Sequence, residues 1–493
     1  MPDSSQSRIR TRKRFIVLAV LFGCVWINYM NRTNISIAGT TMRDDLSIDP
    51  LKMGLVFAAF SMTYGWLQIS GGALVDGFKN RPFYAIIMFF WSVSTVLQGF
   101  VNSLFSLVGL RLSLGLFQAP SYPAHNKMVT RWFPTDERAS AIAIYTSAQF
   151  LVLALMPPIF VFLMNAVTWR GLFIITGAVS IIGAFVMYAI YRDPMDDQTV
   201  NKEELEYIES GGGLIKDKAS VKYSWIQIAV LVITPLALIL IGYKYSWKGV
   251  LIALAIGALG VYLLSLNKQT KKDEISDEGG KSDKSEFNWL DFLEAFKHRK
   301  LWGVYIGQFC LGSLFVFFLT WFPTYLKDTR GLTLEAMGYW TMIPPLGAFA
   351  GVLLSGYISD LLVKKGVSPG TSRKIPVLCG MVIGASIIGA NYTDSTGMVV
   401  LFSTIALFGN GLASIAWVFI SSIAPIRCMG MVGGVFNFIG NLAGISLPII
   451  VGHFASDGNF EPALIYIAVV SIIGFCSYLF LVGKVERIEL PER

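Results

Sequence analysis

Long apolar runs separated by short polar breaks dominate the chain. Stretches of roughly 20 apolar residues, the length a helix needs to cross the hydrocarbon of a bilayer, begin near Phe15, Leu51, Phe83, Leu104, Ala139, Gly171, Trp225, Gly249, Trp302, Ala336, Pro376, Met398, Met431 and Ala463. The pattern predicts an all-α membrane protein with about fourteen transmembrane helices. Polar sequence interrupts it from Arg192 to Lys222, and again at KQTKKDEISDEGGKSDKSE. The expected organisation is a short tail (1–14), six helices (15–191), a central polar segment carrying an inserted helix pair (192–300, the pair at about 225–266), six more helices (301–483) and a closing tail (484–493). An inserted pair preserves topology, so the two six-helix halves should lie the same way up.

Composition narrows the class. Only 15% of the 493 residues are charged and 54% are hydrophobic, against roughly 25% charged in soluble domains. A globular enzyme with a single anchor is excluded. The basic start RIRTRKRF could head a cleavable signal, but the run behind it is too long, contains Arg32 and lacks a small-x-small site, so it reads as a retained first helix. With the N-terminus inside, about 31 of the 40 Lys and Arg fall in cytoplasmic loops; Arg43, Lys52, Arg170, Lys244, Lys248, Lys327 and Arg330 fall outside. That asymmetry follows the positive-inside rule. It predicts a multi-pass plasma-membrane protein (the inner membrane in a bacterium) with both termini cytoplasmic. It also makes the net charge of +8 a consequence of topology, with no nucleic-acid partner implied. Cys24, Cys310, Cys379, Cys428 and Cys476 lie in or beside apolar runs without metal-ligand spacing, so they read as packing residues, and no cofactor is expected.

Two charges break the apolar pattern from within. Arg32 lies late in the first run and Arg111 early in the fourth, while all 32 acidic residues fall outside such runs. A cation at membrane depth is costly and marks a substrate or ion path. Running in opposite directions, the two helices bring both arginines to comparable depth. Guanidinium forks bind carboxylates bidentately, so the missing negative charge reads as a small organic anion. Tyr29 lies one turn from Arg32 on the same face. Tyr64, Gln68, Gln149 and Gln308 add donors and acceptors inside apolar spans, as a hydroxyl-rich cargo requires. No acid pair, nucleophile–base pair or metal cluster sits at that depth, so an enzyme is not expected.

A faint repeat relates the halves: Gly72-Ala-Leu-Val-Asp76 with Lys79 and Arg81 behind it, and Gly356-Tyr-Ile-Ser-Asp360 with Lys364 and Lys365. Further motifs are Asn28-Tyr-Met-Asn-Arg32, Gln118-Ala-Pro-Ser-Tyr-Pro123, Thr130-Arg-Trp-Phe-Pro-Thr-Asp-Glu-Arg138, Phe317-Phe-Leu-Thr-Trp-Phe-Pro323 and Gly433-Gly-Val-Phe-Asn-Phe-Ile-Gly-Asn441. Together they resemble the major facilitator superfamily, and within it the anion:cation symporter branch that includes bacterial permeases for glucarate, galactarate and galactonate. The resemblance covers both halves and not the 225–266 pair. It implies the major facilitator fold of two parallel six-helix repeats, a monomer alternating access in the lipid bilayer, and a sugar-acid cargo held by Tyr29, Arg32, Tyr64 and Gln149, with Trp321, Asn437 and Asn441 closing the site from the second half.

The chain departs from that family where the chemistry of coupling lies. Members usually read Asp-Arg where this chain has Asn31-Arg32, and Glu-Ala-Pro where it has Gln118-Ala-Pro; a further membrane Asp corresponds to Ser422. Those acids carry protons in the family, and an amide does not titrate. Either the protein is uncoupled or differently coupled, as a facilitator or exchanger, or Asn31 and Gln118 are engineered isosteres. Ser422, which is not isosteric, and the divergent Met30 and Phe117 favour the first. Asn31 and Gln118 would then read cargo hydroxyls. His298 and His453 sit outside the apolar interior, whereas His125, two turns beyond Gln118, is the candidate replacement proton site on a cavity wall. Asp76, Arg81, Arg131, Glu137, Arg138 and Asp360 are expected to form cytoplasmic latches that break as the halves rock. The rival readings are an exporter or exchanger of other organic anions, aromatic ones included, and a transporter-like sensor.

Overall fold

The structure is a computed structural model that describes residues 11–214, 294–425 and 428–489. The expected helix pair at 225–266, residues 1–10 of the opening tail and residues 490–493 of the closing tail lie outside the described residues. Four helices open the chain: α1 (Lys13–Asp45), α2 (Pro50–Gly77), α3 (Asn80–Gln98) and α4 (Leu104–Gln118). The fourth span continues through the Ala119-Pro120 break into α5 (Ser121–Trp132). Pro120 ends the ladder, since it has no N–H to give. Next comes α6 (Thr135–Ile190), 56 residues long. At 1.5 Å per residue it would run about 84 Å, far more than the roughly 30 Å of hydrocarbon. Non-helical Val167 and Thr168, the latter at φ 63°, divide it into two passages. The first half therefore makes six passages, followed by the short amphipathic α7 (Lys202–Ser210).

The second half repeats this plan. Its helices are α8 (Arg299–Thr320), α9 (Phe322–Arg330), α10 (Leu334–Thr341), α11 (Ile343–Lys364), α12 (Pro369–Gly384), α13 (Thr396–Ala413), α14 (Trp417–Ile423), α15 (Met429–Ser456) and α16 (Glu461–Cys476). Proline or a one-residue break divides α8 from α9 and α10 from α11, so each pair belongs to one passage or its rim. Among the described residues nine segments are long and apolar enough to span a membrane by length and composition. One of them is the double-length α6, and α2 and α3 complete the set.

Small residues set the joint between the halves. A Cβ added to Gly54 of α2 would lie 2.3 Å from the Pro448 carbonyl oxygen of α15. One on Gly444 would meet Ser61 Oγ at 2.4 Å, and one on Gly452 would meet the Pro50 carbonyl at 2.7 Å. Trp321 fills the same joint: it is fully buried, edge-on to Phe57 at 5.3 Å, and its indole N–H donates to the Pro448 carbonyl at 3.1 Å. Polar ties between the halves cluster on the face of the bundle that carries Asp45. There Arg43 pairs with Asp328 at 2.7 Å, Lys327 donates to Thr40 at 3.2 Å, and Asn165 donates to Glu335 at 2.7 Å. On that face Arg170 and the Trp169 indole bond the Asp45 carboxylate and hold its pKa below the usual range.

The opposite face carries Arg14, and there the first half is tied to the segment that follows it. Arg14 bonds Glu137 at 3.0 Å and the buried Glu204 of α7 at 3.2 Å, and Lys13 reaches Asp197 at 3.4 Å. Arg131 pairs with Asp193 at 2.9 Å, both largely buried. Removing one partner of such a pair would strand a buried charge.

Close backbone approach at Gly54 generates a stability prediction. Gly54→Val should lower the apparent melting temperature of the purified protein by several degrees, because overpacking a joint of this kind costs about 1–3 kcal/mol. Gly109→Val, where an added Cβ meets nothing within 4 Å, should melt with the wild type. Equal melting of the two variants would refute the close α2–α15 joint.

Candidate functional site

The site grows from the packing of α1, α2 and α4. Gly115 lets α4 approach α2 so closely that an added Cβ would sit 2.2 Å from the Phe60 carbonyl oxygen. Thr63 on α2 donates to the Leu112 carbonyl at 2.7 Å and pins the register. One turn before Gly115, Arg111 is thereby laid against Phe60, its guanidinium carbon 5.4 Å from the ring centre. Arg32 comes from α1 to the same ring, at 4.7 Å. Stacked on Phe60 at 5.1 Å is Tyr64, which lies 4.3 Å from the Arg32 guanidinium, and Tyr29 lies 4.8 Å from it. Arg32 is thus enclosed by three aromatic rings, an arrangement that stabilises a cation without neutralising it.

Neither arginine has a countercharge among the described residues. Arg32 is 7% exposed and Arg111 is 3% exposed. Among the described residues neither forms an ion pair. The Nε–H of Arg32 donates to Gln118 Oε1 at 2.9 Å, and Gln118 in turn donates to the Asn28 carbonyl at 3.4 Å. Arg32 Nη2 and Arg111 Nε and Nη1 are buried and find no acceptor. From their distances to the Phe60 ring centre, 4.7 and 5.4 Å, the two guanidinium carbons are at most about 10 Å apart. At an effective dielectric of about 20, two like charges at that separation repel by on the order of 1.5–2 kcal/mol. What the arrangement can do chemically is receive an anion: it offers a low-dielectric wall, orphaned donors and a positive field.

Other expected residues are placed as follows. Asn31 is fully buried on the far side of α1, where its side chain exchanges hydrogen bonds with Ser180 of α6 at 2.9 and 3.2 Å. That is a helix–helix contact, turned away from Arg32. Gln149 is half-buried on α6. On α15, Asn441 donates to the Asn437 carbonyl at 2.9 Å, and a Cβ on Gly65, next to Tyr64, would touch Asn441 Cβ at 2.8 Å. The second half therefore meets α2 at Asn441, beside Gly65, while Trp321 sits in the α2–α15 joint near Pro448. Ser422 accepts from Arg373 at 3.1 Å, distant in sequence from both arginines.

His125 differs from the expected cavity-wall residue. It is 1% exposed, bonded through Nε2 to Tyr84 OH at 2.7 Å, and ringed by Tyr84, Tyr122 and Tyr145 at 5.0, 5.9 and 5.4 Å. The described bonds of the expected latch residues are these. Arg81 bonds the Tyr188 carbonyl at 2.7 Å, Arg138 bonds the Phe133 carbonyl at 3.1 Å, and Arg131 and Glu137 make the pairs given above. Asp360 is exposed, and the side chains of Asp76 and Gln68 lie outside the described residues. Phe60, the shared platform, was not singled out from the sequence. A lone Phe in an apolar run carries no signal beyond its i, i+4 spacing to Tyr64.

The family model described as Major Facilitator Superfamily matches residues 21–225 and 216–448. The chain belongs to the Major Facilitator Superfamily. Within it, the D-galactonate transporter of Escherichia coli O6:H1 is 40% identical over 477 residues, covering 97% of each chain. A probable galactarate/D-glucarate transporter, GudP of Bacillus subtilis, is 33% identical over 98% of this chain and 95% of its own. GarP of Escherichia coli K12, also a probable galactarate/D-glucarate transporter, is 32% identical over 99% of both. Among solved structures, a bacterial homologue of the human lysosomal transporter Spinster, inward-facing and unoccupied, superposes with a TM-score of 0.67 at 15% identity, covering 96% of this chain and 97% of that one. The chain is thus a multi-pass membrane transporter of major facilitator fold.

The Asn31–Ser180 pair should report itself as packing. In a double-mutant cycle of Asn31→Ala and Ser180→Ala, thermal melts should give a coupling of about 0.6 kcal/mol, and no more than about 1.7, as for other interhelical bonds in membranes. Anion affinity of Asn31→Ala should stay within about threefold of wild type. A tenfold loss would put Asn31 in the binding surface.

Proposed function

We propose that the protein carries sugar acids, hexonates or aldarates, across the membrane by alternating access, with Arg32 and Arg111 holding the carboxylate end. The buried, uncompensated donors of these two arginines carry the reading, since a carboxylate satisfies both their hydrogen bonding and their charge. The relatives named for galactonate, galactarate and D-glucarate transport support the choice of anion. Gln118, Tyr29, Tyr64, Gln149, Asn437 and Asn441 supply polar atoms around the arginines for hydroxyls. The positive-inside rule assigns the Arg14 face to the cytosol. The ties on the Asp45 face then close the external side, and the pocket faces inward.

The direct test is uptake of labelled D-galactonate and galactarate into proteoliposomes, paired with thermal shift. A sugar acid that binds the folded form should raise its melting temperature. Arg32→Ala and Arg111→Ala should each weaken binding at least about thirtyfold, because truncating one partner of a desolvated charge pair costs about 2–5 kcal/mol. Wild-type transport by both variants would end the assignment.

Coupling follows from the amides. With Asn31 and Gln118 in place of acids, a pH gradient imposed without any other ion gradient should not drive accumulation. Sugar-acid uptake well above equilibrium under that gradient would show that another group carries the proton.

A further inference from the structure

We infer that the protein is an obligatory anion exchanger: it crosses between its two states readily with an anion aboard and poorly without one. The inference rests on the transport reading and concerns the return leg of its cycle. In an alternating carrier the pocket must close on one side before it opens on the other, and during that step it is cut off from water. Here the closing walls would surround two guanidiniums that share one aromatic ring and have no carboxylate among the described residues. Loss of solvent raises the cost of each unpaired charge and strengthens their mutual repulsion.

An anion removes that penalty, since it brings the countercharge into the pocket with it. The loaded protein therefore closes over a compensated site and the unloaded one over two bare cations. Gln118 is decisive here. It takes the Arg32 Nε–H at 2.9 Å, the position from which a carboxylate would neutralise the arginine in the unloaded form, yet as an amide it contributes no charge. The aromatic enclosure of Arg32 by Tyr29, Phe60 and Tyr64 acts on loaded and unloaded forms alike, so it does not ease the return leg selectively.

The experiment compares two populations of proteoliposomes in a common buffer, with no pH gradient and the membrane potential clamped at zero. One is preloaded with unlabelled D-galactonate and the other holds buffer alone; labelled D-galactonate is added outside, and galactarate is run in parallel. Initial uptake into preloaded vesicles should exceed that into unloaded vesicles at least tenfold. Equal rates would overturn the exchange inference and leave transport standing, whereas no flux of either acid in either population would overturn the transport reading beneath it. Gln118→Glu, which sets a carboxylate against Arg32, should bring the two rates to within about threefold of each other. A Gln118→Glu protein that exchanges normally yet keeps the tenfold gap would refute the charge explanation. The wild-type comparison decides between exchange and net transport even where the variant does not assemble.

Discussion

Two buried guanidiniums resting on one phenylalanine ring are the constraint around which the first half is arranged. A cation taken out of water needs compensation, and in soluble cores a carboxylate normally provides it. Here the local answer is aromatic and neutral: the Phe60, Tyr64 and Tyr29 faces for Arg32, the Phe60 face for Arg111, and one amide oxygen from Gln118. These contacts orient the arginines and lower their cost while leaving the positive charge in place. The helix packing is subordinate to this. Gly115 and Thr63 draw α4 against α2, and only that close approach delivers Arg111 to the ring that Arg32 already occupies.

The two faces of the bundle then divide the remaining work. On the Asp45 face the halves meet through Gly54, Gly444 and Gly452, backbone almost against backbone, with Trp321 sealing the seam. Contacts of that kind are dry, and they can separate without stranding a charge. The longer polar ties, Arg43–Asp328 and Asn165–Glu335, are exposed and individually weak. On the Arg14 face the described ionic network is partly buried and ties the first half to the segment that follows it, which stiffens that face. A rocking mechanism needs both features: stiff halves, and a joint whose opening costs little electrostatically.

Much of this was legible in the sequence because membranes make charge conspicuous. Arg32 and Arg111 stood out as cations in apolar runs, Tyr29 followed from helical spacing, and Tyr64 from its polarity. The two-half plan followed from counting runs and from the repeated Gly-x-x-x-Asp segments. Direction around a helix was much less legible. Asn31 neighbours Arg32 in sequence, yet successive residues point about 100° apart on a helix, and Asn31 was committed to Ser180 on a span nearly 150 positions away. His125 was expected on a cavity wall and lies instead inside a cage of tyrosines, because no local signal distinguishes the wet face of a helix from a packed one. The latch residues were recognised as charged loop positions, but the backbone carbonyls that Arg81 and Arg138 bond and the α7 tyrosine that bonds Glu137 could not be read, since tertiary structure brings them in.

Gln118 shows how one atom can separate two properties that usually travel together. A glutamate at this position would hold the Arg32 Nε–H and also cancel its charge; the glutamine keeps the hydrogen bond at 2.9 Å and leaves the charge. Geometry of the pocket is therefore retained while its net positive charge rises by one, from a site in which a carboxylate would hold Arg32 to a site in which the arginine is free from the start. Binding then needs no competing carboxylate to be displaced, which favours affinity for the anion. The same feature burdens every step in which the pocket closes unloaded. Affinity and ease of return are thus opposed through a single side chain, and the balance between them is set by whether its terminal atom is nitrogen or oxygen.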